Sequence, residues 1–370
     1  MKMHINKIAC SLIAIMICLS YVATETSTVL QELNSTTKKL IIAKYLTGNT
    51  KELFKIWHLI YNKKYDYNTE EGIKRYQIFK SNVKSIQRFN LQNLSYRKGI
   101  NHLSDLTIEE MRQTYPLTEV NISEHKIKTN KFSLDDYNDE VDDSDYTHNN
   151  LIEEDTSSIN LKKSSVNWKD YCLAVRNEGG CAAGWAFATI GTIECSYRIK
   201  NQNFSESLSP QQLIDCDRSS RGCTVGNPKE TYNYLKGSYI MTEKDYPYIE
   251  NKRYCNYNAG KVTPIILDGY REEKNYEKIY SMLVNGPVTI GVHANDDWYA
   301  YETGVFSGGE CKKDSINYYM TLVGYNSDGY WIIKNSWSSD WGESGYIRVL
   351  EDESEKKVCG IKKYGLQPYF

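Results

Sequence analysis

Asn177-Glu178-Gly179-Gly180-Cys181-Ala182-Ala183-Gly184-Trp185-Ala186-Phe187 is the stretch on which the reading of this sequence turns. Gly184 opens an apolar, helix-compatible run through Trp185, Phe187, Ile190 and Ile193 before Tyr197 and Arg198. Downstream, Tyr319-Met320-Thr321-Leu322-Val323 and Tyr330-Trp331-Ile332-Ile333 read as strands. The polar Asn326-Ser327-Asp328-Gly329 between them reads as their turn.

Outward from this core, the chain has 370 residues, 45 Lys+Arg against 47 Asp+Glu, and a formal net charge of −2. Near-balanced charge argues against nucleic acid or a polybasic membrane role. A mean hydropathy of −0.59 excludes a multispanning membrane protein. Lys2 and Lys7 precede an apolar run from Ile8 to Ala23, the layout of a cleaved signal peptide over residues 1–23. Cys10 and Cys18 would leave with it. The eight remaining cysteines, Cys172, Cys181, Cys195, Cys216, Cys223, Cys255, Cys311 and Cys359, all follow residue 170 and read as a disulfide-stapled, secreted domain. Asn34, Asn93, Asn121 and Asn203 head glycosylation sequons.

Residues 24–133 are free of cysteine and mainly helical in pattern. Between Asp135 and Asp155 stand ten acidic residues and no Lys or Arg, so 134–160 reads as a self-repelling linker. Residues 161–370 hold the aromatics, glycines and cysteines. In the first segment Glu71, Arg75, Phe79, Asn82, Ile86 and Asn90 recur at steps of three and four, which puts all six on one helix face. Polar residues interleaved there need partners beyond the helix itself. Gly99-x-Asn101-x-Leu103-x-Asp105 follows and reads as an extended stretch.

These two patterns resemble the prosegment signatures of papain-family, cathepsin L-like cysteine proteases, with Leu103 in an aromatic place. The Asn177–Phe187 stretch is similar to that family's nucleophile segment. Ser209-Pro210-Gln211-Gln212-Leu213-Ile214-Asp215-Cys216-Asp217, Gly286-Pro287-Val288, Asn335-Ser336-Trp337, Trp341-Gly342 and Gly345-Tyr346 resemble its later landmarks. The resemblance implies an α+β, two-lobe fold: a helical left lobe, an antiparallel β-barrel right lobe, and a helical inhibitor prosegment through the cleft. It also implies disulfides Cys181–Cys223, Cys216–Cys255 and Cys311–Cys359, leaving Cys172 and Cys195 as a fourth bridge or separate thiols. Ile100–Leu106 and Gly179–Cys181 are similar, more narrowly, to mite group 1 allergens and inactivated cysteine protease paralogues of scabies mites.

The family's chemistry needs a thiolate at a helix amino terminus, an imidazole beside it, an Asn to orient the ring and a Gln to hold the oxyanion. Here the nucleophile position is Gly184 and the base position Tyr318, 134 residues later, which keeps the family spacing. Glu178 stands in the Gln place, where an ionised carboxylate would repel an oxyanion. Asn335 is retained without a His to orient. The cleft would be framed by Trp185, Trp337, Val225 and Gly226, with Val225 adding a branched side chain to the substrate rail. His293 reads as a structural histidine.

This reading makes the chain no enzyme. It is expected to be a secreted papain-fold pseudoprotease acting by binding, a decoy or competitor for peptides, protease inhibitors or host proteins. Its own prosegment is the expected internal partner, with no cofactor, metal, nucleic acid or membrane. Residual or altered cysteine-type peptidase activity is one alternative. A structural or storage protein using the 31 tyrosines is another.

Overall fold

The computed structural model describes residues 33–46, 48–118, 163–309, 311–312, 315–351, 359–361 and 363–370. The expected signal segment, the acidic 134–160 stretch and Asn121 lie outside the described residues. Asn34, Asn93 and Asn203 are all exposed.

Helices α1 (Ser35–Tyr45), α2 (Thr50–Ile60) and α3 (Glu70–Asn90) open the described chain. Leu53, Phe54 and Trp57 of α2 pack against Phe79, Val83 and Ile86 of α3. The polar members of the α3 stripe find the external partners that their position demanded. Asn82 Nδ2 donates to the carbonyls of Ser104 and Leu106 at 3.0 and 2.9 Å. Asn90 donates to the Lys98 carbonyl and accepts from its N–H. Arg75 holds Glu71 at 2.5 Å and Glu110 at 2.7 Å. The stripe is thus a clamp for residues 98–110.

That clamped segment is less extended than its alternation suggested. Strand β1 (Tyr96–Lys98) is short, and turns run from His102 to Asp105 before α4 (Ile108–Thr114). Asp105 causes the departure: its buried carboxylate takes Lys63 Nζ and Tyr65 Oη, each at 2.8 Å. Asp105→Asn should cost the prosegment about 2 kcal/mol, the worth of a charged hydrogen bond. Hydrogen exchange over 50–115 checks this; unchanged protection would deny Asp105 the role.

After β2 (Val166–Asn167), helix α5 (Gly184–Lys200) runs through the centre of the molecule. Every residue from Gly184 to Cys195 is buried, so the helix is enclosed on all sides rather than amphipathic. Ile190 and Ile193 join Leu213 of α6 (Pro210–Cys216) and Tyr232 of α7 (Pro228–Leu235) in the first lobe's core. On its other face Thr192 and the Ala188 carbonyl meet Thr289 and Thr321 of the second lobe. Gly184 is thereby fixed at the junction of the lobes.

Strands β3 (Tyr239–Met241) and β4 (Val262–Ile266) form a small separate pair. The second lobe adds β5 (Gly269–Glu273), α8 (Tyr276–Asn285), β6 (Val288–Val292), β7 (Tyr301–Phe306), β8 (Tyr318–Asn326), β9 (Tyr330–Lys334), β10 (Tyr346–Leu350) and β11 (Gly365–Tyr369). Its sheet runs β1-β7-β10-β9-β8-β6-β11-β5, with β2 beside β8. The β8–β9 turn falls at 326–329, where Gly329 takes φ +86° and its N–H reaches the Asn326 carbonyl at 2.9 Å. The lobe is not wholly antiparallel: β7 and β10 run parallel, with Val305 opposite Arg348. The prosegment supplies the strand beyond β7, with Tyr96 opposite Gly304.

The three disulfides implied by resemblance are present. Cys172 and Cys195 form a fourth, tying the loop after Tyr171 to the middle of α5. It closes a separation of 23 residues, so removing it as Cys172→Ala with Cys195→Ala should cost about 3 kcal/mol. A denaturant midpoint unmoved by the double change would show the bridge to be idle.

Candidate active site

Gly184 begins α5, and no side chain caps this helix start. Cys181–Cys223 ties the loop before the helix to the 223–226 segment within the first lobe. Tyr318 begins β8 on the opposite lobe and points its ring at Gly184. A Cβ placed on Gly184 would stand 2.6 Å from Tyr318 Cε2 and 2.7 Å from Cζ. The two departures noted in the sequence are therefore one event in space: the phenol ring occupies what a side chain at 184 would need.

Three residues hold that ring. Tyr318 Oη donates to Glu178 Oε1 in a short hydrogen bond and lies 3.0 Å from Ser336 Oγ. Trp337 Nε1–H donates to the same Glu178 oxygen at 2.9 Å. The Trp337 and Tyr318 ring centres are 5.4 Å apart. Glu178 in turn donates its backbone N–H to the Ser336 carbonyl.

Glu178 corrects the electrostatic expectation. Burial pushes its carboxyl up to about 8, against the opposing hydrogen bonds from Tyr318 and Trp337. Burial thus favours the neutral acid, and Glu178 lies 1 % exposed rather than facing an open cleft. Burial, and then the neighbouring Glu178, push the Tyr318 phenol well above its ordinary value. The Tyr318 phenol therefore keeps its proton near neutrality.

Asn335 is buried, with Oδ1 accepting the Ser336 N–H at 2.8 Å. Its Nδ2 has no partner among the described residues. It therefore does not orient the ring at 318. Trp185 belongs as much to the core as to the cleft: its Nε1–H donates to the Gly222 carbonyl. A Cβ on Gly226 would meet the Trp185 indole at 2.2 Å, which is why glycine is required there. Val225 stays partly exposed on the rail. His293 is buried, its Nδ1 accepting the Lys312 N–H. All eight cysteines of the described residues are paired, which leaves no thiol beside Tyr318. No group of side chains suited to a metal ion occurs among the described residues.

The prosegment enters this cleft as the resemblance implied. Pro116 and Thr118 join Gly184, Val225, Asn317 and Tyr318 around a residual cavity of about 40 Å³. Tyr115, just past α4, is 1 % exposed, with its ring 5.1 Å from that of Trp337. Tyr299 Oη donates to the Tyr115 carbonyl at 2.8 Å. Tyr115, Tyr299 and Ser336 went unassigned in the sequence. Only the Tyr115-Pro116 step at a helix end hinted at an extended turn into the cleft.

No helix among the described residues is long and apolar enough to cross a membrane. Residues 162–369 match the papain family cysteine proteases, and residues 54–111 match the cathepsin propeptide inhibitor domain. A cathepsin L-like proteinase of Fasciola hepatica is 31 % identical over 351 residues, covering 89 % of this chain and 98 % of that protein. Fruit bromelain of Ananas comosus is 33 % identical over 325 residues, covering 85 % of each. Among solved structures, a recombinant stem bromelain precursor superposes with a TM-score of 0.70 at 31 % identity, over 87 % of this chain and 99 % of that one. Procathepsin L 3 from Tenebrio molitor larval midgut gives 0.69 at 27 % identity, over 88 % and 100 %. These relatives carry the names of proteases, which overturns the sequence expectation that the chain is no enzyme: the family points to one. The chain belongs to the papain family of cysteine proteases, with a cathepsin-type propeptide domain ahead of the peptidase domain.

Proposed function

We propose that this chain acts by binding a peptide or protein segment in its interlobe cleft, as a secreted decoy or competitor for peptides, protease inhibitors or host proteins. The observation that carries the reading is the Tyr318 ring over Gly184, where the resemblance expects the family's His and Cys. The Tyr318 ring beside the cleft supports a role in holding a segment there. The prosegment in the cleft is an internal example of such a ligand. Secretion fits the signal layout and the four bridges. The narrower likeness to mite proteins belongs to this proposal alone.

Family membership favours a second reading, peptidase chemistry altered to use a different group. Titrating a labelled peptide library into the protein after cutting within 134–160, at pH 4 to 8, separates the two. Saturable binding is the expected result. Product peptides released at a rate proportional to protein would move the assignment to the second reading, and neither binding nor release would sink the proposal.

A further inference from the structure

Deepening the binding reading, on which it rests, we infer that the peptidase domain carries a slot for a tyrosine side chain in an extended segment of a partner protein. Tyr115 occupies this slot within the chain, and every contact that defines it comes from two directions. From the peptidase domain, Trp337 offers the ring face at 5.1 Å. Asn177 Oδ1 accepts the phenol hydroxyl at 2.6 Å. Tyr299 Oη donates to the main-chain carbonyl of the occupant at 2.8 Å. From the prosegment, His102 Nε2 lies 3.1 Å from the same hydroxyl.

The first three groups would remain if Tyr115 withdrew, and they are held in place independently of it. Trp337 is stacked on Tyr299 with ring centres 5.2 Å apart and 16° between planes. Its indole nitrogen is anchored on Glu178. Asn177 pairs backbone to backbone with Trp337, and its Oδ1 also accepts the Gly179 N–H at 3.1 Å, which turns the oxygen toward the slot. Preorganised groups lose little freedom on binding. Together they read three properties: a flat ring, a para hydroxyl and an adjoining carbonyl. Among common side chains only tyrosine presents the first two. The backbone of Tyr115 (φ −125°, ψ 80°), kept out of the helical region by Pro116, sets the direction of the chain.

The test uses the full chain carrying Tyr115→Ala, which frees Trp337 and Asn177 while the residue-115 carbonyl stays on Tyr299, and the capped peptide Tyr-Pro-Leu-Thr with its Phe and Ala analogues. Calorimetry should show the Tyr peptide binding this variant at least about tenfold more tightly than it binds the unaltered chain. The Phe peptide should bind about tenfold more weakly, the loss of one hydrogen bond. Adding Asn177→Ala should bring Tyr and Phe peptides to within about twofold of one another. Tyr115→Phe keeps the ring; it should admit the Tyr peptide to an intermediate degree, which guards against a variant that fails to fold. Equal binding of the Tyr and Ala peptides would overturn the slot while leaving cleft binding intact. Library peptides that fail to bind any form of the cut or full chain would instead remove the binding reading beneath it.

Discussion

Gly184→Cys, made alone, should destabilise the protein by about 1–3 kcal/mol, the usual cost of forcing atoms into a filled site. The new Cβ would lie 2.6 Å from the Tyr318 ring, and the ring cannot swing aside cheaply. Its hydroxyl is bound to Glu178 and Ser336, and Trp337 closes one side. With Tyr318→His in the same chain, most of that cost should vanish, a strongly non-additive pair as expected for touching residues. Glu178→Gln then restores an amide donor toward the place where an oxyanion would form. In the triple variant, cut within 134–160, thiol-dependent peptide hydrolysis should exceed that of the Gly184→Cys single variant by about 10²–10⁴-fold, the span of a positioned acid–base group. Denaturant midpoints and a fluorogenic peptide measure the two halves. A single variant as stable as the parent would mean that Tyr318 does not own this space.

The second large effect is on the pH dependence of stability. The unfolded Glu178 carboxyl loses its proton near 4.5, whereas the folded one keeps it to about 8. Between those values the native state holds a proton that the unfolded state has released, so stability falls as pH rises. The slope is about 1.4 kcal/mol per pH unit, levelling above pH 8. Glu178→Gln has no proton to hold and keeps an oxygen for Tyr318 and Trp337. It should be close to the parent near pH 4.5 and clearly more stable at pH 8. Urea midpoints at pH 5 and pH 8 for both proteins decide the matter; parallel curves would show that Glu178 is not buried as a neutral acid.

The fold was legible because its signals are local or repeat along one face. The steps of three and four in α3 announced one helix face, and its polar positions, Asn82 and Asn90 among them, foretold contacts outside the helix. The parallel pairing of β7 with β10 was not legible, since register between distant strands leaves no mark on either one. Nor was Cys172–Cys195, where only the approach of α5 to the Tyr171 loop brings the sulfurs together. At the site, the sequence displayed Gly184, Tyr318 and Glu178 as three separate departures. Their unity lies in volume and hydrogen bonding: a ring fills the space a missing side chain leaves, and a carboxyl removed from water accepts its hydroxyl. The burial of Glu178 was illegible for the same reason, because burial cannot be seen in residue type.

The pairing of β1 with β7 reaches beyond the cleft. With the prosegment in place, β7 has a neighbour on each side, β10 and β1. Withdrawal of the prosegment would leave one flank of Tyr301–Phe306 as a bare sheet edge, a row of free N–H and C=O groups ready to template a strand from another molecule. Gly304 offers no bulk there to fend one off, since it sits where the backbone of Ser95 and Tyr96 comes closest. The prosegment is in that sense an edge guard, and light scattering should rise as it is stripped from the protein. The segment that covers this edge is the same one that fills the cleft.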